Sequence, residues 1–215
     1  MAAPALTLAK TSVLPRANTS YSERIAAGFA LVMVAPPLAV VLVAVFALSG
    51  RAPLVAHRRV GQSGEPLWVF KIRTMWGGDR ESEGLWIEYL QCPRVPATKV
   101  GPDPRVTSAF AAFCRRHSID ELPQLIHVVA GTMRWVGPRP MTQAELDEHY
   151  AGAQTELLSV PPGLTGLWQV MGRNRLSYAQ RRRLDLFLVR RFGWKLCARV
   201  LLRTVREVLL PRYAW

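Results

Sequence analysis

Two adjacent carboxylates, Asp120 and Glu121, sit in the stretch Arg115-Arg116-His117-Ser118-Ile119-Asp120-Glu121-Leu122-Pro123-Gln124-Leu125. Acids are scarce here, with 15 Asp+Glu against 28 Lys+Arg and a net charge of +13. A carboxylate pair kept ionised among arginines suits a metal ion or nucleophilic attack. Ser118 and Glu121 also have capping-box spacing. With Ser118 as N-cap, however, Pro123 would fall at the fifth helical position, where it lacks the N–H the ladder needs. A helix that starts at Pro123 fits better, because proline is tolerated in the first turn. Asp120 and Glu121 then lie on the turn just before it, at the positive end of the helix dipole.

The remaining candidates are cations. Lys71 and Arg73 share one face of an extended run, with Trp68, Phe70 and Ile72 on the other, so the strand reads as a basic ridge backed by an apolar one. It is either a solvated face or a grip for phosphate. In Val136-Gly137-Pro138-Arg139-Pro140 the glycine and prolines stiffen a loop that holds Arg139 out, as a phosphate ligand or as part of a structural turn. Gly172-Arg173-Asn174-Arg175 is a basic cluster whose guanidinium forks match an anion. The overall charge points to an anionic partner: nucleic acid, phosphorylated substrates or an anionic membrane surface. Cys92, Cys114 and Cys197 are odd in number and widely spaced. They form neither a disulfide framework nor a zinc motif, which fits a reducing compartment.

These residues need a scaffold, and the chain spells one out. Residues 1–20 read as a flexible tail. Ile25 to Leu48 carries no charge; about 24 helical residues span roughly 36 Å, more than the ~30 Å hydrocarbon core. Pro36-Pro37 interrupt its hydrogen-bond ladder at the middle, and basic residues flank both ends (Lys10, Arg16, Arg24; Arg51, Arg58, Arg59). A re-entrant helix broken at the proline pair, entering and leaving on the cytoplasmic face, fits both features; a kinked single span is the alternative. Residues 21–50 are thus the membrane segment and 51–215 the catalytic domain. Val60 to Arg73 reads as a β-hairpin around Gln62-Ser63-Gly64-Glu65-Pro66. A helix follows Ser108, another runs from Pro123 to about Gly131, and Thr142-Gln143-Ala144-Glu145 is a capping box. From Arg181 onward, leucines and Trp194 alternate with arginines, an interfacial signature that favours lipid over nucleic acid. The fold class is an α-rich α+β membrane-associated domain.

Five segments, in order, resemble the bacterial sugar transferases, the monotopic polyprenyl-phosphate sugar-1-phosphate transferases. They are Phe70-Lys71-Ile72-Arg73-Thr74-Met75, Asp103-Pro104-Arg105-Val106-Thr107, Ser118 to Leu125, Val136-Gly137-Pro138-Arg139-Pro140, and Pro162-Gly163-Leu164-Thr165-Gly166-Leu167-Trp168-Gln169-Val170 with Gly172-Arg173. The resemblance implies transfer of a sugar-1-phosphate from a UDP-sugar to undecaprenyl phosphate, at the start of surface-glycan synthesis on the cytoplasmic face of the bacterial inner membrane. It implies Asp120 as nucleophile, forming a phosphosugar–aspartyl intermediate, and Glu121 with Asp120 as holder of Mg²⁺. Lys71, Arg73, Arg116, Arg139, Arg173 and Arg175 are the expected phosphate ligands, with Asp185, Asn174 and Pro138 in support. The partners expected are the donor, the lipid acceptor and membrane lipids, with no nucleic acid and with homo-oligomerisation left open. At two positions, Thr132 and Cys197, the sequence lacks acids that the family pattern carries. A degenerate member serving as scaffold, or a basic membrane-anchored binding protein, is the competing expectation.

Overall fold

The computed structural model describes residues 18–77, 86–90 and 104–211. Asp103, Cys92 and most of the polar stretch 77–96 lie outside them. Helix α1 (Tyr21–Ser49) opens on a capping box between Ser20 and Glu23 and closes on Gly50 in the left-handed conformation. Its mean hydropathy is 2.7 and almost none of its apolar window is buried, so among the described residues it is the one helix long and apolar enough to cross a membrane. Pro36 and Pro37 lie inside it. The backbone stays helical through the pair where a break was expected; only the two bonds that proline cannot donate are lost, which leaves the helix free to bend there.

Strands β1 (Leu54–Val60) and β2 (Pro66–Ile72) form a hairpin around the expected turn, closed by a 3-10 turn at Gln62–Gly64, but its first strand lies before Val60, where it was expected to begin. Strand β3 (Ile87–Leu90) pairs with β1 in parallel, giving a sheet in the order β2-β1-β3. Helix α2 (Ala109–Arg116) is capped by Ser108. A 3-10 turn (Ile119–Gln124) then leads into α3 (Leu125–Ala130), which ends at Gly131 with φ 82°. Next come β4 (Arg134–Val136), α4 (Gln143–His149), α5 (Gln154–Leu157), β5 (Gly163–Thr165) and α6 (Leu167–Met171). The chain ends in α7 (Tyr178–Arg190) and α8 (Trp194–Leu209). The predicted capping box Thr142/Glu145 forms on α4, and a second, Ser177/Gln180, opens α7.

The core holds α1 to the sheet. Ala27 packs with Leu67 and Val69 of β2, Val128 of α3 and Met133. The polar contacts of the same root are as dense: Thr19 Oγ1 donates to the Met133 carbonyl (2.9 Å), Arg24 Nε to Val129 (2.8 Å) and Trp135 Nε1 to Glu23 (3.0 Å). Thr19 and the first turns of α1 therefore belong to the folded body rather than to a separate tail. At the other end of the helix, Phe46 stacks on Trp86, just ahead of β3, with ring centroids 5.7 Å apart.

Strands β4 and β5 pair in parallel, and at their joint no side chain fits. A Cβ on Gly163 would lie 2.1 Å from the Gly137 nitrogen, and one on Gly137 2.8 Å from the Gly163 nitrogen. Gly163 N–H donates to Pro138 and Gly137 N–H to Thr165 (2.8 and 2.9 Å). This backbone contact explains why the Val-Gly-Pro-Arg-Pro and Pro-Gly-Leu-Thr segments come together, and it fixes where Arg139 leaves the chain.

Candidate active site

The dyad lies on the turn before a helix, as the sequence suggested, but that helix does not start at Pro123. Ser118 has φ 55°, makes no side-chain cap, and turns the chain into the 3-10 segment that carries both acids and Pro123; α3 begins two residues later, at Leu125. Bonds of the i→i+3 type accommodate the proline in a turn where an α-helix would not. The segment packs against the edge of β2. Lys71 follows Leu67 and Val69 on the face of that strand turned to the core, so it emerges beside the acids.

Glu121 is the anchored member. Its Oε1 accepts from Lys71 Nζ at 2.7 Å and from Arg139 Nη2 at 3.1 Å. Burial works to raise its pKa, but the charges and hydrogen bonds of Lys71 and Arg139 prevail and hold it well below the usual carboxylate range. Asp120 is 8% exposed, and no side chain among the described residues donates a hydrogen bond to it. Burial pushes it up to about 6, opposed by Lys71, Arg115 and Arg139 and reinforced by Glu121. One carboxylate is thus fixed and charged; the other is poised, ionised at neutral pH and uncommitted.

The expected cations divide. Lys71 and Arg139 reach the dyad. Arg173, strained at φ 47°, reaches its edge: Nη2 lies 3.4 Å from Ser118 Oγ. Arg175 and Arg116 are exposed. Arg73 is the correction. Beyond the end of β2 it turns inward, donating to the Ala52 carbonyl (2.7 Å) and pairing with buried Glu88, so its fork is occupied and it offers phosphate nothing. The basic ridge read from strand alternation is the core face, and only Lys71 on it meets the site. Pro138 supports through its carbonyl, the acceptor for Gly163; the Asn174 side chain lies outside the description. Sequence reasoning missed Arg115, which acts on Asp120 and donates to Thr74 Oγ1 (3.3 Å). It also missed His57. Burial, followed by Arg59, Lys71, Arg73 and Arg139, lowers the His57 imidazole to about 3, keeping it neutral.

Asp185 is fully buried. Its Oδ2 accepts from Tyr150 OH at 2.8 Å, while Oδ1 and the facing Trp168 Nε1 close no hydrogen bond. Burial raises Asp185 to about 7 against the pull of Tyr150, Trp168 and Arg181. Because the folded pKa lies above the unfolded value of about 4, stability falls as pH rises between them. Asp185→Asn, which can give its amide oxygen to Trp168 and its amino group to Tyr150, is expected to raise Tm by a few degrees at pH 8 and little at pH 5; thermal melts at both values check it.

At the two positions lacking family acids, the contacts shown are with groups other than the dyad. Thr132 closes the end of α3 opposite the dyad, its Oγ1 on the His127 carbonyl at 3.2 Å. Cys197 packs against the cluster of Val136, Leu167, Leu188 and Val200. Beside it Arg134 lies over the Phe192 ring (3.7 Å) and pairs with Glu23 (3.7 Å). The counter-charge for that arginine comes from the root of α1.

Residues 16–211 match the family described as bacterial sugar transferase. The chain is 39% identical over 180 residues to the UDP-galactose-lipid carrier transferase of Erwinia amylovora, covering 80% of this chain but 36% of that one. It is 38% identical over 193 residues to the exopolysaccharide production protein ExoY of Rhizobium meliloti, covering 87% of this chain and 84% of ExoY. To the undecaprenyl-phosphate galactose phosphotransferase of Salmonella typhimurium it is 35% identical over 186 residues, 83% of this chain and 38% of the relative. It therefore spans most of ExoY and little more than a third of the longer relatives.

Proposed function

The chain belongs to the bacterial sugar transferase family, and on that premise we propose that it moves a sugar-1-phosphate from a UDP-sugar to undecaprenyl phosphate by way of Asp120. It is an enzyme of the phosphoglycosyltransferase kind, like its named relatives. The observation that carries the proposal is the asymmetry of the dyad: Glu121 is held by Lys71 and Arg139, while Asp120 is buried, ionisable and free of donors among the described residues.

An Asp120 oxygen attacks the phosphorus next to the sugar, and that phosphorus loses its bridging oxygen to departing UMP. The phosphosugar is then bonded to the carboxylate. A phosphate oxygen of the lipid acceptor attacks the same phosphorus and displaces Asp120, which returns as carboxylate. Lys71 and Arg139 neutralise the phosphoryl oxygens in both steps, and Arg173 reaches the acceptor or leaving phosphate from the Ser118 side. Both cations reach Oε1 of Glu121, which leaves its Oε2 and the Asp120 carboxylate for a metal. That donor set fits Mg²⁺, which takes one or two carboxylates together with water and substrate phosphates. When bound, Mg²⁺ would polarise the phosphoryl oxygens.

The lipid acceptor gives α1 its purpose. Both ends of α1 touch the same folded body, at Ala27 and at Phe46, which supports a helix that enters and leaves the inner membrane on the cytoplasmic face. Exopolysaccharide synthesis, the role in the name of ExoY, is the pathway class this reading favours.

The attacking form of Asp120 is the anion. With a pKa of about 6 the rate should fall as pH drops through about 6, where an unburied aspartate would sustain it to about 4. Single-turnover UMP release from pH 4.5 to 8 checks this; a flat profile down to pH 5 removes Asp120 as the titrating nucleophile.

A further inference from the structure

Helix α8 presents three stripes. Leu196, Cys197 and Val200 face the core. Trp194, Leu202, Val205 and Leu209, at spacings of three, four and eight, are 57–76% exposed. Lys195, Arg199, Arg203 and Arg206 run exposed beside them. An apolar edge bordered by a row of cations matches a bilayer surface carrying anionic headgroups, since the edge enters the acyl boundary while the cations meet phosphates. α8 is also tied to the catalytic turn. His117 Nδ1 donates to the Val208 carbonyl at 2.7 Å, across 91 residues of sequence. Val208 lies in the last turn of α8, where carbonyls have no intrahelical donor. His117 is the residue that closes α2, its ring 4.6 Å from Phe113. It is followed at once by left-handed Ser118, the step that aims Asp120 and Glu121.

We propose that His117 is a positioning residue that clasps the lipid-facing helix α8 to the turn bearing Asp120 and Glu121, so that seating α8 on an anionic membrane surface orders that turn. The inference rests on the lipid-surface reading above and adds to it a mechanical link from the surface to the nucleophile. Ser118 is not glycine, so its left-handed conformation has to be held by its surroundings. Locally the turn is held by its own backbone, Ser118 N–H donating to Arg115 and Glu121 N–H to Ser118 (both 3.1 Å); Arg173 on the Ser118 hydroxyl and His117 on α8 are its long-range holds among the described residues. A helix end free to fray would leave Arg173 as the remaining long-range hold on the turn.

The test is amide hydrogen exchange of the full chain in phosphatidylethanolamine vesicles with and without phosphatidylglycerol. Anionic lipid is expected to slow exchange about tenfold in both 200–209 and 118–124 in the wild-type protein. His117→Asn keeps a donor near the Nδ1 position and should behave alike. His117→Leu should retain protection of α8 and lose it in 118–124. Equal protection of 118–124 in the leucine variant, or none there in the wild type, overturns the proposal. UMP release is measured on the same samples. An inactive wild-type protein that shows the coupled protection refutes the transferase reading and leaves the clasp standing; an active one without coupling does the reverse.

Discussion

Asp120→Asn lowers UMP release by about a thousandfold or more, because the amide is no nucleophile and the two displacements both run through that oxygen. The variant should fold at least as well as the parent. Its buried carboxylate is raised to about 6, so the folded state holds a charge at pH 7 that burial disfavours, and the neutral isostere removes the cost. Loss of activity with an unchanged or higher Tm separates a chemical role from a structural one. Donor supplied without lipid acceptor sharpens the result. The wild-type chain should release about one equivalent of UMP and gain a sugar-phosphate mass on the peptide carrying Asp120, and the asparagine variant should do neither. Turnover without any such burst in the wild type would point to direct displacement by the lipid and end the covalent reading.

Lys71→Met is expected to cost about ten- to a hundredfold in rate at pH 7 and to move the acid limb upward. Lys71 is the largest of the charges that hold Asp120 down, and it is the shorter of the two contacts on Glu121, at 2.7 Å. Without it Asp120 titrates above about 6, so a smaller fraction is ionised at neutral pH, and one of the cations facing the phosphoryl oxygens is gone. Stability should fall by about 2 kcal/mol. That is less than for a fully broken buried pair, because Arg139 remains on Glu121. Lys71→Arg keeps the charge and should return the limb close to its parent position. A pH–rate profile and a denaturant melt of the three proteins check both parts; an unmoved limb in the methionine variant would show that Lys71 does not set the Asp120 charge.

Much of this was legible from local rules. The capping boxes at Thr142 and Ser177 formed because each needs only four residues and no distant partner. The hairpin from β1 to β2 and the apolar length of α1 follow from patterning alone, and so does the stop at Gly131. The adjacency of Asp120 and Glu121 is covalent and was never in question.

What local rules decided wrongly, they decided by treating a face or a turn in isolation. Alternation put Lys71 and Arg73 together, yet Arg73 lies just past the strand end and turns inward to Glu88, a residue brought alongside by the parallel pairing of β3. The helix start at Pro123 came from the rules of α-helices; packing against β2 held the segment in a 3-10 turn instead. A break in the helix was expected at Pro36-Pro37, yet the chain stays helical through the pair, because a long helix keeps all its bonds but two.

The sequence by itself determined the parts and their charges: an apolar helix, an acidic pair among cations, and a basic amphipathic end. Only the tertiary structure decided which acid is held and which is poised, because that depends on Lys71 and Arg139 arriving from 50 and 18 residues away at one carboxylate oxygen. Hydrophobic pattern and backbone propensity are properties of neighbours along the chain. Burial and the Coulomb field at Asp120 belong to neighbours in space, and no local rule contains them.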